Sequence, residues 1–145
     1  MFSGKSSNDE INRVQKKALR IVHNDYASTF EELLKKGNHL QIHHINNIKL
    51  LVEVFKCLSG NNPHPPFLNN LFRPKYTRFN LRTSNLLMLP HSKTLTYGLK
   101  SITFRGGTIW NSLPDKVKHS KDVNDFKTKL KKYVNLKCTC HLCTS

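Results

Sequence analysis

Acidic side chains are scarce in this chain: 9 Asp and Glu stand against 24 Lys and Arg, a formal charge of +15 over 145 residues. No two aspartates are adjacent, so the paired carboxylates of a two-metal phosphoryl-transfer centre are missing. Long apolar runs are missing as well. Nothing approaches the roughly 18 residues that span a bilayer, and the N-terminus, polar from Ser3 onward, has no apolar segment of the secretory kind. Both absences lead to an expected intracellular setting, nuclear or cytoplasmic and not secreted, with no membrane partner. Cysteine is sparse and lopsided, with Cys57 alone and Cys138, Cys140 and Cys143 crowded at the end, which is not a spread-out disulfide framework. No set of nucleophile, base and orienting group stands out, so the chain is not expected to be an enzyme by itself.

What is present suffices for a single domain with its own core. An excess of 15 positive charges attracts polyanions, nucleic acid above all, or else it forms a solvated basic surface without a specific partner.

Helical periodicity dominates the first sixty residues. Ser7-Asn8-Asp9-Glu10 has the form of a capping box and predicts a helix start there. Ile11, Val14, Ala18, Ile21 and Val22 keep a helical period, which assigns them to the core. Arg13, Lys16, Lys17 and Arg20 are left as a basic strip, open to phosphate or to water. Ser28-Thr29-Phe30-Glu31 offers a second box, with Glu31 and Glu32 at the positive end of the helix dipole and Lys35, Lys36 and Gly37 at the other. From Leu40 to Leu58, Ile42, Ile45, Ile48, Leu51, Val52 and Phe55 trace one face until Gly60 stops the run. His39 and His43 stand four apart, as in some zinc sites, but lack a third ligand and read more simply as a polar helix entrance. Cys57, near the end of that helix, reads as a packing residue and not as a nucleophile.

Beyond Asn61 the signals are more mixed. Asn61-Asn62-Pro63-His64-Pro65-Pro66 interrupts regular structure, after which Phe67, Leu68, Leu71 and Phe72 suit one amphipathic turn that starts at Pro66 and docks on the first part. Lys75 to Arg82 alternates cations with Tyr76, Phe79 and Leu81. Single-stranded nucleic acid is held by such a mixture, with aromatics stacked on bases and Arg78 and Arg82 on phosphates; a half-buried strand or loop has the same pattern. Tyr97 to Pro114 holds the only Trp. Leu99, Ile102, Gly106, Ile109, Trp110 and Leu113 recur there at helical spacing, with Gly106 as a point of close approach. A strand competes for the first half of that stretch, and helix over Ser101 to Leu113 is the preferred reading. A last helix follows Ser120, with Asp122 and Asp125 early, Val123, Phe126 and Leu130 inward, and Lys127, Lys129, Lys131, Lys132 and Lys137 crowding its later half.

The tail brings Cys138, Cys140, His141 and Cys143 within six residues. Three thiolates and an imidazole are ligands that zinc accepts, although ligands this close call for a distal one such as His64 or His119; the alternative is a reduced terminus without metal. The expected fold class is mainly α: a small helical domain with irregular or short extended segments in the middle and a Cys-rich C-terminal tail. The expected parts are residues 1–60 with three helices, a Pro-rich linker and docking turn over 61–75, a C-terminal part over 76–137 and the tail over 138–145.

Leu40-Gln41-Ile42-His43-His44, Asn80-Leu81-Arg82-Thr83-Ser84, Thr96-Tyr97-Gly98, Arg105-Gly106, Trp110-Asn111-Ser112-Leu113-Pro114, Phe126-Lys127 and the final cysteines occur in this order. From about Val14 onward the chain thereby resembles the extreme C-terminal region of jockey-like non-LTR retrotransposon reverse transcriptases. The resemblance implies origin in a polyprotein carrying an endonuclease and an RNA-directed DNA polymerase, in a segment beyond the polymerase thumb. It brings no catalytic motif with it, since Tyr/Phe-x-Asp-Asp does not occur. The expectation is a non-catalytic accessory segment that binds RNA or single-stranded DNA through Arg13, Lys16, Lys17, Arg20, Arg78, Arg82 and Arg105. The alternative is a structural segment packed on the polymerase thumb, with Leu51, Phe55 and Trp110 partly exposed in the isolated chain.

Overall fold

The computed structural model describes residues 4–60, 66–75, 85–91, 94 and 101–136. Among them the chain is mainly helical: α1 Gly4–His23, α2 Phe30–Lys36, α3 Ile42–Ser59, α4 Pro66–Asn69, α5 Ile102–Ser112, α6 Asp115–Lys118 and α7 Val123–Leu136. Extended pairing among the described residues is limited to one antiparallel bridge between Pro74 and Leu87. The chain forms two compact units, Met1–Asn46 and Asn47–Ser145.

In the first unit, Leu19 of α1 is buried with Leu33 and Leu34 of α2, and Phe30 packs against them. α2 is short, and its start is satisfied by a reciprocal cap. The Thr29 amide donates to the Glu32 carboxylate at 2.8 Å and the Thr29 hydroxyl accepts from the Glu32 amide at 3.4 Å. The box therefore lies one residue later than Ser28–Glu31, because Ser28 is already engaged by the preceding turn: its hydroxyl and amide both donate to Asp25, at 2.7 and 3.1 Å. Lys36 closes the same turn from the far end of α2 at 2.8 Å from Asp25 Oδ2. The Lys36 ammonium, followed by Ser28, holds the Asp25 carboxyl well below the usual carboxylate range. Asn24, with φ of 47°, supplies the left-handed residue the chain needs after α1.

α1 differs from its sequence pattern in two ways. It begins at Gly4, so Ser7-Asn8-Asp9-Glu10 lies inside the helix and not at its start. Its apolar stripe also faces outward: Val14, Ile21 and Val22 are 66, 69 and 70% exposed, and Ile11 and Ala18 are exposed as well. The rotation of α1 is fixed by other groups. Gln15 donates to the Leu40 carbonyl at 2.8 Å and accepts from the Ile42 amide at 3.2 Å, so its amide ties α1 to the entrance of α3. With Gln15 and Leu19 turned inward, a stripe centred on Ala18 is turned away.

The second unit has an aromatic centre. Phe126 of α7 is fully buried, stacks on Phe55 of α3 at 4.5 Å between ring centroids, and lies 5.9 Å from the ring of Trp110 of α5. Leu51, Phe55 and Trp110 are thus core residues, as the apolar spacing of their helices predicts and against the partial exposure that the thumb-packing alternative expects. The isolated chain already contains the groups that cover them. Val54, outside the single face expected for α3, is also fully buried. α5 is a helix as expected, capped by Ser101, whose hydroxyl accepts from the Phe104 amide at 3.2 Å. Gly106 is a close approach: a Cβ there would meet Phe72 Cε1 at 3.0 Å and Val54 Cγ2 at 3.1 Å. Ile102, by contrast, is exposed. Of the turn begun by Pro66, only Phe72 is buried, while Phe67 and Leu71 are exposed.

The Trp-Asn-x-Leu-Pro stretch works as a clamp. Trp110 Nε1 donates to the Asn85 carbonyl at 3.2 Å, and the Asn111 side chain both accepts from the Leu87 amide and donates to the Leu87 carbonyl, at 2.8 and 3.0 Å. Leu113 is buried, and Pro114 starts α6 by accepting from Val117. α7 is capped by Asp122, whose carboxylate accepts from the Asp125 amide at 2.6 Å, while Asp125 accepts from Lys121 and pairs with Lys129.

Candidate nucleic-acid interface

Four of the seven candidate contact residues share one side of α1. At 100° per residue, Arg13, Lys16, Lys17 and Arg20 fall within an arc of about 100°, centred about 140° from the exposed apolar arc on the same helix. Arg13 and Lys17 are exposed, and Lys16 and Arg20 are half-buried. None of the four has an ion pair among the described residues, and Arg20 Nε is buried without a hydrogen-bond partner there. A row of unpaired cations on a rigid helix is what a phosphate backbone engages.

The other candidates do not join this row. Arg105 is on α5 in the second unit, and its guanidinium donates to Asn47 Oδ1 at 2.8 Å, which occupies one of its donors. Arg78 and Arg82 lie outside the described residues, as do Cys138, Cys140, His141 and Cys143. Among the described residues no cluster of three His, Cys, Asp or Glu is placed to hold a metal. His39 precedes α3 instead of sharing its face with His43, and its ring stands 6.0 Å from that of His23. Both ring nitrogens of His119, a suggested distal ligand, are already engaged, by Asn85 and by the Asp115 carbonyl. Burial pushes the Cys57 thiol up from its ordinary value, with the Glu53 carboxylate adding to the effect, so it is a poor nucleophile.

Two sets of residues were not legible as functional candidates. The exposed apolar arc of α1 looked like core because periodicity marks a face without saying what lies opposite it. Nothing in the sequence around Lys118 of α6 singles it out from the other cations, yet its side chain is only 5% exposed.

No protein-family model, no curated protein and no solved structure matches this chain. Among the described residues no helix is long and apolar enough to cross a membrane.

Proposed function

We propose that this protein is a non-catalytic accessory segment of a retrotransposon RNA-directed DNA polymerase polyprotein that contributes RNA or single-stranded DNA binding. The observation that carries the reading is the row of Arg13, Lys16, Lys17 and Arg20, without ion pairs among the described residues, in a chain of formal charge +15. Its element-derived origin rests on the order of sequence motifs that resemble the C-terminal region of jockey-like reverse transcriptases. A segment of this kind holds a strand by its phosphates and leaves the chemistry to another domain. Titration of a labelled single strand at rising salt tests it: affinity should fall linearly on logarithmic axes, and absent binding at low salt, or binding indifferent to salt, would remove the proposal.

A second reading is favoured by one observation of its own. The exposed stripe of Val14, Ile21 and Val22 on α1 is apolar surface that a neighbouring polymerase thumb would cover, which makes the segment a structural support. The residues in question are those of α1, not Leu51, Phe55 and Trp110. The two readings use different sides of the same helix.

A further inference from the structure

A hollow of about 240 Å³ opens in the second unit between the end of α3, the Pro74–Leu87 bridge, α5 and α6. Leu58, Pro74, Leu87 and Trp110 give it an apolar wall, and Asn85, Lys118 and His119 add its polar groups. Two of these polar groups satisfy each other. His119 Nδ1 lies 2.9 Å from the Asp115 carbonyl, where it can only donate, so in the neutral ring Nε2 accepts from Asn85 Nδ2 at 3.0 Å.

Lys118 is different. Its side chain is 5% exposed, its ammonium has no hydrogen bond among the described residues, and the nearest carboxylate oxygen, Asp115 Oδ1, is 3.9 Å away. Burial lowers its pKa from the ordinary value while Asp115 pulls it back up. With its stem buried and its carboxylate neighbour 3.9 Å away, this ammonium is weakly compensated, and an anionic group entering the hollow would give it a close acceptor. The nearby Asp115 charge disfavours a dianion, and a neutral guest would leave the ammonium as it is. The volume is small, enough for about one ring and an acid group, below the usual range for larger ligands.

We propose that this hollow is a binding site for a small organic monoanion: a carboxylate on a single flat ring, with its acid group on Lys118 and its body against Leu58, Pro74, Leu87 and Trp110. The proposal is independent of the α1 reading and uses a different unit. Trp110 is the only tryptophan of the chain, so its emission reports occupancy directly. The full chain is titrated with benzoate, benzyl alcohol and phenyl phosphate. Benzoate should shift the emission saturably, and Lys118→Met should weaken that binding at least about tenfold. Lys116→Met, which removes an exposed cation from the same turn, should bind as the wild type does. A response without saturation, benzyl alcohol binding as tightly as benzoate, or undiminished binding in Lys118→Met would overturn the site. Tighter binding of phenyl phosphate would overturn its assignment to a monoanion. Should Lys118→Met fail to fold, the comparison of benzoate with benzyl alcohol on the wild type still decides.

Discussion

The side-chain amide of Asn111 pairs with the backbone of Leu87 as a neighbouring strand would, accepting from its amide at 2.8 Å and donating to its carbonyl at 3.0 Å. A helix thereby takes the place of a sheet partner for a segment whose strand pairing, among the described residues, is otherwise the Pro74 bridge. Replacing Asn111 by Ala leaves two half-buried backbone groups without partners, and a loss of about 1–3 kcal/mol is expected in denaturant unfolding. Asn111→Asp should recover less than half of it, since a carboxylate cannot donate to the Leu87 carbonyl.

Phe126 links two aromatic neighbours, Phe55 and Trp110, and is fully buried. Phe126→Ala should cost about 3–5 kcal/mol through the cavity it leaves. Trp110 emission should move to longer wavelength as water reaches the ring, and an unchanged spectrum with unchanged stability would show that the stack is not the centre of this unit.

The α1 row has a quantitative signature in salt. Each phosphate contact on a single strand contributes about 0.7 to the slope of log affinity against log salt, so Arg13→Gln with Lys17→Gln should lower it by about 1.4. Lys127→Gln with Lys131→Gln removes the same charge from α7. An equal drop in that pair would assign the effect to the overall field and not to α1.

The outward stripe of α1 is testable in isolation. Ile21→Ser with Val22→Ser should change stability by no more than about 0.5 kcal/mol, because neither side chain is buried. Binding of an apolar dye to the native chain should fall in that variant. Wild-type protein that binds no dye would remove the support for the thumb-packing reading.

The Asp25 turn predicts a pH dependence with a definite sign. Its carboxyl is lowered in the folded state, so the contribution is fully present above the unfolded value, about 3.9, and is lost as pH falls through the lower folded value. Asp25→Asn should melt below the wild type at pH 7, and the difference should shrink steadily on acidification below about pH 4. A constant difference down to strongly acid pH would show that Lys36 and Ser28 do not act through the charge.

The sequence alone determined most of the helices and most of the inward residues of α3, α5 and α7, because apolar spacing there is dense; the exceptions are Val54, buried outside the expected face of α3, and Ile45 and Ile102, exposed although their spacing pointed inward. It also determined the charge. The cap of α2 was legible to within a residue: Ser28 and Thr29 carry the same hydroxyl, and the choice between them was made by Asp25, which claims Ser28 from the preceding turn; the Ser7-Asn8-Asp9-Glu10 box, by contrast, lies inside α1. The rotation of α1, decided by the Gln15 amide and the position of Leu19, belonged to the tertiary structure alone, and so did the burial of Lys118. Periodicity is a property of one element, whereas burial depends on what a second element brings against it, and a linear pattern contains no term for that second surface.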